Sequence, residues 1–290
     1  MFLAALEAAR PRQWVKNLFV VAPLVFAKQL TDRVALGRAA IAVAIFCALS
    51  SAVYLWNDVI DIEKDRAHPR KQTRPIAAGR LLVLQAQLLS GLLALTGLLG
   101  ALLLRPELAV CALTYLISNV AYSLYLKRVV YLDVLLIAFG FLLRVVGGAM
   151  AISVEASPYL LLCTGLLACY LGFGKRAHEL AVAGEQAALQ RPVLSSYRLP
   201  TLRVLLAVTA MATLISYILY TRAPHTVRFF HSSRMIWTAP FAALGLARFS
   251  MLISGHPTSD SPTEEMLGDR LFIANLVAWA AVTTAIIYFH

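Results

Sequence analysis

Apolar residues in this chain do not alternate with polar ones; they run in blocks. The blocks recur from one end to the other, with polar residues gathered in short segments between them. A helix needs ~20 predominantly apolar residues to cross a bilayer. The pattern predicts nine spans, at 17–28, 35–57, 81–104, 108–126, 131–152, 158–174, 201–221, 235–253 and 271–289. The first is short and contains Pro23, so a kinked, tilted or partly interfacial segment is expected there. The reading is an all-α integral membrane protein, one nine-helix domain over 1–290 with no separate soluble domain.

Composition agrees. Of 290 residues 60% are apolar and 14% charged, with mean hydropathy +0.74. A soluble domain is nearer half apolar and a quarter charged. The net charge of +11 does not point to nucleic acid, because the bases sit at the edges of the spans; anionic lipid and anionic substrate account for them. With the amino terminus inside, the inside segments hold Arg10, Arg12, Lys16, Lys64, Arg66, Arg70, Lys71, Arg74, Arg80, Lys127, Arg128, Lys175, Arg176, Arg191, Arg198, Arg203, Arg248 and Arg270. That is 18 of the 26 Lys and Arg. Outside lie Lys28, Arg33, Arg38, Arg105, Arg222, Arg228 and Arg234, and Arg144 lies within a span. Such a bias predicts a plasma (inner) membrane protein with a cytoplasmic amino terminus. Cys47, Cys111, Cys163 and Cys169 fall in apolar spans without metal-ligand spacing, so they read as small core residues. No cleavable signal peptide is expected, since Glu7 and Pro11 precede any apolar run.

The chemistry concentrates after the second span. Asn57 and Asp58 open a polar loop in which Asp58, Asp61 and Asp65 stand at i, i+3 and i+7. If the helix continues through them, the three carboxylates share a face. Mg²⁺ takes oxygen ligands of this kind and shares them with substrate phosphates. Arg70, Lys71, Arg74 and Arg80 follow and would hold the remaining phosphate charge. The loop reads as a metal-diphosphate site on the cytoplasmic side, with Asp58, Asp61 and Asp65 as metal ligands. Other polar residues fall near the same face. Tyr122, Tyr125, Lys127 and Arg128 close the fourth span, and each fits either the site or an interfacial anchor. Asp133 opens the fifth span, with Arg144 about three turns further in; a cation at that depth normally faces the bundle interior. Lys175, Arg176, His178 and Glu179 close the sixth. His68 reads as a solvated loop residue.

These residues resemble a known family. Asn57-Asp58-x-x-Asp61-x-x-x-Asp65 is similar to the first aspartate motif of the UbiA superfamily of intramembrane prenyltransferases, and nine helices with the motif after the second match it too. A second Asp-x-x-x-Asp cluster is usual after the sixth helix there; this chain has Lys175-Arg176-x-x-Glu179 instead. Local features resemble the decaprenyl-phosphate phosphoribosyltransferase branch: Arg10-Pro11-x-Gln13-Trp14-x-Lys16-Asn17, Asp65-x-x-His68-Pro69-x-Lys71-x-x-Arg74-Pro75, Tyr122-Ser123 with Lys127, Gly140-Phe141-x-x-Arg144, Gly174-Lys175-Arg176-x-x-Glu179, and Asp269-Arg270.

The resemblance implies transfer of a phosphoribosyl group from 5-phosphoribosyl-1-diphosphate to a polyprenyl phosphate, with Mg²⁺, diphosphate leaving, and a product that feeds cell-wall arabinan synthesis. Charge is consistent with it. A phosphate monoester carries roughly −1.5 to −2 near neutral pH, so holding a 5-phosphate and an acceptor phosphate adds roughly three to four negative charges. The expected catalytic residues are Asp58, Asp61, Lys71, Arg74, Lys127 and Arg144. The expected substrate ligands are Lys16, Asn57, Lys71, Arg74, Tyr122, Lys127, Arg128, Arg144, Lys175 and Arg176. Prenyl transfer from a prenyl diphosphate is the nearer rival and a lipid-phosphate transporter the more distant one. An oligomer is compatible with the sequence. The segments 183–198 and 254–269 read as connectors or covers.

Overall fold

The computed structural model describes residues 2–69, 71–183, 192–254 and 262–289. Arg70, Arg191 and the middles of the two expected covers, 184–191 and 255–261, lie outside the described residues. Every regular element among the described residues is helical. The chain forms two compact units, one of residues 1–126 and 140–156, the other of 127–139 and 157–290.

Eight helices are long and apolar enough to cross a membrane: Arg33–Ile60, Val83–Leu104, Pro106–Leu124, Leu132–Ile152, Pro158–Ala181, Leu199–Arg222, Arg234–Ser254 and Arg270–Tyr288. They match eight of the nine predicted spans. The first predicted span differs: Pro11–Val21 is a 3₁₀ run followed by a five-residue helix, Ala22–Phe26. Pro23 lacks the N–H that a continuous α-helical ladder through 17–28 needs. The other discrepancy is the sixth span, which stays helical to Ala183. Glu179 meets Lys175 at 3.8 Å and also pairs with Arg176, and such i,i+4 and i,i+3 pairs carry a helix past its apolar run.

Helix starts are written in the sequence. Asp32 Oδ1 accepts from Val34 N at 2.8 Å and Ala35 N at 3.2 Å. Ser157 Oγ accepts from Leu160 N at 3.1 Å, and Asp269 Oδ1 from Phe272 N at 2.7 Å. These satisfy donors a helix leaves open at its first turn. Pro106, Pro158 and Pro224 sit where a missing N–H costs nothing.

In the first unit, Arg33–Ile60 is central. Phe46 and Leu49 are fully buried against Leu108, Ala112 and Tyr115. Close helix approach uses small residues: Ser90 Oγ donates to Ala52 O at 2.9 Å, and a methyl group at Gly97 would meet Leu49 at 2.7 Å. The 3₁₀ run lies antiparallel to this helix. A 3₁₀ helix has three residues per turn, so Trp14, Asn17 and Val20 stack on one face. Trp14 donates to Ser51 at 3.0 Å, Asn17 to Cys47 and Ser50 at 3.2 and 3.3 Å, and Val20 is buried in the core. A methyl group at Gly148 would stand 2.0 Å from Val20 O, so this run touches Leu132–Ile152 backbone to backbone. Outward, Leu88, Leu92, Leu95, Leu99 and Leu103 form an exposed leucine face, which water would not tolerate and lipid does.

In the second unit Pro158–Ala183, Leu199–Arg222 and Ala239–Ser254 pack around Val134, Tyr170, Phe173, Leu202 and Phe249. Tyr170 OH lies 2.7 Å from Leu246 O and 2.6 Å from Ser250 Oγ. Tyr217 OH lies 2.7 Å from Thr238 Oγ1 and accepts from Trp279 Nε1 at 2.9 Å. The cysteines are free, Cys111 buried and the others half-buried, as expected of small core residues.

Candidate active site

In the first unit the helix that begins at Arg33 stops at Ile60. Asp61 sits at the junction (φ −93°, ψ 12°), and a six-residue helix, Ile62–Ala67, continues from it. The break separates the three aspartates. Asp58 and Asp65 are buried and share one guanidinium: Arg74 Nη1 donates to Asp58 Oδ1 at 3.2 Å and to Asp65 Oδ2 at 2.6 Å. Asp61 instead lies 3.8 Å from Lys64 Nζ. Of the three expected metal ligands, Asp58 and Asp65 converge on one guanidinium while Asp61 lies beside Lys64, and among the described residues no group of three His, Cys, Asp or Glu is assembled.

Arg10 is the second cation on Asp58, through a direct hydrogen-bonded ion pair. It occupies a left-handed backbone position (φ 53°), and its guanidinium lies 5.0 Å from the Tyr54 ring centre. A left-handed non-glycine residue is uncommon and clusters at functional sites. Nearby, Glu7 receives both Arg80 nitrogens, at 2.7 and 2.9 Å, and Arg80 also donates to Thr73 O at 2.7 Å. The Arg80 guanidinium holds the Glu7 carboxyl below its ordinary value. This clasp ties the amino-terminal helix to the loop that carries Arg74. Lys71 is half-buried beside it, its backbone N–H donating to His68 Nδ1 at 3.4 Å. His68 thus caps the turn.

Deeper in the same unit lies Arg144, 6% exposed. It donates from Nε to Asn17 Oδ1 at 2.8 Å, from Nη1 to Gly140 O at 2.8 Å and from Nη2 to Tyr115 OH at 2.9 Å. Its guanidinium also lies 4.9 Å from the Tyr115 ring centre and 5.4 Å from that of Phe141. All these partners are neutral, so among the described residues its charge meets no carboxylate. Lys16, half-buried, feels the charges of both Arg144 and Arg10. Among the described residues, Asn57 Oδ1 is buried without a hydrogen-bond partner. The first unit thus gathers Arg10, Lys16, Asn57, Asp58, Asp65, Arg74 and Arg144 at and below one helix end. Tyr122 belongs to the same unit and is half-buried.

The donors fit a hard divalent cation. Two carboxylates already converge on one cationic group, and Asn57 offers a further oxygen. The surrounding guanidiniums suit a diphosphate, which planar forks grip through two oxygens.

The second unit has its own polar cluster. Arg176 and Asp133 are both fully buried, with Nε donating to Asp133 Oδ2 at 2.6 Å. Arg176 also pairs with Glu179. Tyr197 OH donates to Asp133 Oδ1 at 2.6 Å and accepts from Tyr131 N at 2.8 Å. Burial and the Asp133 carboxylate push the Tyr197 phenol well above its ordinary value, so it stays a donor. Arg176 was expected as a phosphate ligand; its charge is instead met by two carboxylates. Lys175 remains accessible, its side chain 40% exposed. Lys127 is half-buried and Arg128 exposed on the 3₁₀ turn Leu126–Arg128.

Residues 18–176 match the profile of the UbiA prenyltransferase family. A decaprenyl-phosphate phosphoribosyltransferase of Mycolicibacterium smegmatis is 33% identical, over 98% of this chain and 92% of that one. Its namesake from Mycobacterium tuberculosis is 32% identical, over 98% and 94%. Among solved structures, a UbiA homolog from Archaeoglobus fulgidus bound to DMAPP and Mg²⁺ superposes with a TM-score of 0.73 at 18% identity, each chain covered to 98%. The buried aspartates and their arginines therefore sit in a fold of known kind, and the chain belongs to the UbiA prenyltransferase family.

Proposed function

We propose that the chain transfers the 5-phosphoribosyl group of 5-phosphoribosyl-1-diphosphate to a polyprenyl phosphate, releasing diphosphate. The observation that carries this reading is Arg144, a buried cation satisfied only by neutral acceptors, within electrostatic reach of Lys16. A site for one diphosphate has less need of such surplus positive charge; a site that also holds phosphate monoesters does. The names of the mycobacterial relatives support the same substrates.

Asp58 and Asp65, with Asn57, would hold Mg²⁺, and Asp61 would join them only if the junction after Ile60 turned. The ion, when bound, would offset charge on the leaving diphosphate. Arg10, Lys71 and Arg74 grip the diphosphate, and in doing so the two arginines release the carboxylates they now cover. Lys16 and Arg144 attract phosphate, with Asn17 and Tyr115 fixing the guanidinium plane. An acceptor phosphate oxygen attacks the anomeric carbon, the carbon–oxygen bond to diphosphate breaks, and the electron pair leaves with diphosphate. The attacking oxygen is already anionic, so no strong general base is required. Tyr122 donates to a substrate oxygen. In the second unit Lys127, Arg128 and Lys175 are candidates for phosphate, while Arg176 acts as the buried counter-ion of Asp133 and Glu179.

The run from Pro11 to Phe26 is proposed as a ninth crossing. At ~2.0 Å per residue a 3₁₀ helix covers more depth than an α-helix of equal length, and the contacts of the run follow Arg33–Ile60 from Ser51 in its second half to Ala35 near its start. The excess of Lys and Arg then sets the amino terminus and the aspartates on the cytoplasmic face of the plasma membrane, and residues 1–290 act as one transferase domain.

The test is diphosphate release by purified protein with Mg²⁺ and a polyprenyl phosphate. Release with phosphoribosyl diphosphate, abolished by chelation and by Asp58→Asn, is expected. Release only with a prenyl diphosphate and an aromatic acceptor would replace the reading by prenyl transfer.

A further inference from the structure

From Asp58 back toward the start of helix Arg33–Ile60, polar side chains keep to one face. Tyr54, Ser51, Ser50 and Cys47 stand at i−4, i−7, i−8 and i−11 from the aspartate. The amino-terminal segment follows that face contact by contact. Arg10 pairs with Asp58, and its guanidinium lies 5.0 Å from the Tyr54 ring centre. Trp14 reaches Ser51, and Asn17 reaches Ser50 and Cys47. Arg144 Nε then donates to Asn17 Oδ1. A continuous line of contacts inside the first unit thus joins the buried aspartates to the buried guanidinium.

Open donors gather along this line. Of the five N–H groups a guanidinium carries, Arg144 commits three, to Asn17, Gly140 and Tyr115. Among the described residues, Lys16 Nζ and Tyr54 OH make no hydrogen bond or ion pair. Lys16 and Tyr54 each feel the charges of both Arg144 and Arg10. The carboxylates of this unit are engaged elsewhere. Glu7 pairs with Arg80, Asp58 and Asp65 with Arg74, Asp61 with Lys64 and Glu63 with Arg66. Asp32 caps the far end of the helix, and Glu107 and Glu155 are exposed. Positive charge between Arg10 and Arg144 is therefore left for a ligand, and the open groups can all donate. That composition selects an anion with several acceptor oxygens, as a phosphate has.

Spacing then selects which phosphate. Ser50, at the level of Asn17, lies ~12 Å along the helix from Asp58 at ~1.5 Å per residue. Charge-assisted hydrogen bonds of ~2.8 Å at each end shorten what a ligand must span. A furanose with diphosphate on its anomeric carbon and phosphate on C5 has two anionic ends held apart by one ring. A polyprenyl phosphate has a single anionic head and cannot serve both ends. Arg144 is pinned by its three hydrogen bonds and flanked by the Tyr115 and Phe141 rings, so it sets the separation rather than adapting to it. A donor with no anion at this end would leave buried donors unpaired, which is costly.

We propose that Arg144, Lys16 and Tyr54 form the subsite for the 5-phosphate of the donor, its diphosphate lying at Arg10, Arg74 and the two aspartates. Asn17 and Tyr115 are positioning residues that hold the guanidinium. The inference rests on the phosphoribosyl reading above and deepens it: the donor lies along helix Arg33–Ile60, and the acceptor phosphate is left to other cations. Tyr54 gains a role that its place in an apolar span did not suggest.

Steady-state kinetics of the full-length protein with Mg²⁺ and a polyprenyl phosphate test this. Phosphoribosyl diphosphate is compared with ribosyl 1-diphosphate, which lacks the 5-phosphate. The native chain is expected to prefer the phosphorylated donor. Arg144→Gln should cut that preference on the order of 100-fold, through a higher donor KM, while the acceptor KM moves far less. Tyr54→Phe should cut it on the order of 10-fold. Asn17→Asp keeps the side chain's shape but gives Arg144 a carboxylate, and should cut the preference too. Should Arg144→Gln not fold, the losses in Asn17→Asp and Tyr54→Phe carry the proposal. A native chain inactive with phosphoribosyl diphosphate would overturn the phosphoribosyl reading itself. Turnover of that donor with an undiminished preference in Asn17→Asp or Tyr54→Phe, or with a rise confined to the acceptor KM, would overturn the subsite alone.

Discussion

Arg176 illustrates how a residue's chemistry depends on what folds against it. A basic pair at the end of a membrane helix reads from sequence as a phosphate clamp. Burial with Asp133 and Glu179 turns one member of the pair, Arg176, into a counter-ion and leaves Lys175 to face outward. Removing one partner of a buried pair strands a charge, at about 3–5 kcal/mol, whereas replacing both by apolar residues is far milder. Arg176→Met should therefore lower the detergent melting temperature steeply, and Asp133→Leu/Arg176→Met should restore much of it; additive losses would show that the pair is not coupled. The Glu7–Arg80 clasp gives a pH effect of known sign. Arg80 lowers the Glu7 carboxyl from its ordinary 4.5. The clasp stabilises fully above that value and is lost as pH falls through the lower folded one. Both side chains are about half exposed, so the effect is small. Proteolysis within Phe2–Ala8 should accelerate in the native chain as pH falls below the ordinary 4.5 of the carboxyl, with no such acid step in Glu7→Gln.

The helices show where local sequence suffices and where it does not. Eight apolar blocks became eight helices, all but the sixth with ends a few residues from expectation, because length, capping Asp and Ser, and prolines are local signals. Asp58, Asp65, Lys71 and Arg74 were legible from their spacing in a polar loop, and Arg144 as a charge within an apolar span. Arg10, Asn17 and Tyr115 were not assigned to the site. Their partners lie 48 residues away for Arg10, 127 for Asn17 and 29 for Tyr115, and no spacing rule reaches across such distances. Asp61 stands apart from Asp58 and Asp65 through a turn at one residue, and a helix drawn through it would look identical in sequence. Gly148 is a point where two elements depend on each other. A methyl group there would meet Val20 O at 2.0 Å, and a backbone carbonyl cannot swing aside as a side chain can. Gly148→Ala should displace the 3₁₀ run and cost about 1–3 kcal/mol or more, read as a lower melting temperature together with loss of turnover. Gly97→Ala, which meets only the Leu49 side chain, should cost less.

The chain taken end to end is a multi-pass membrane protein of one family, and its proposed topology has a direct readout. Single cysteines placed at Ser232 and Lys64, in a background lacking Cys47, Cys111, Cys163 and Cys169, should react with an impermeant thiol reagent from opposite faces of sealed vesicles. Ser232 should label from the outside and Lys64 only after permeabilisation. A third cysteine at Leu3 should label from the same face as Lys64, and labelling from the opposite face would remove the ninth crossing from the count.

The run from Pro11 to Val21 has a property the eight α-helices lack. Its contacts fall at 14, 17 and 20, in step with three residues per turn, and each meets a different level of Arg33–Ile60. Inserting one residue before Trp14 would turn the whole stripe by a third of a circle, sending Asn17 away from Arg144 and Trp14 away from Ser51 together. Inserting three would restore the facing but shift every contact down by one turn. The run therefore works as a gauge read in triplets. Its length is fixed to the residue by the helix beside it, while the loops at either end remain free to grow.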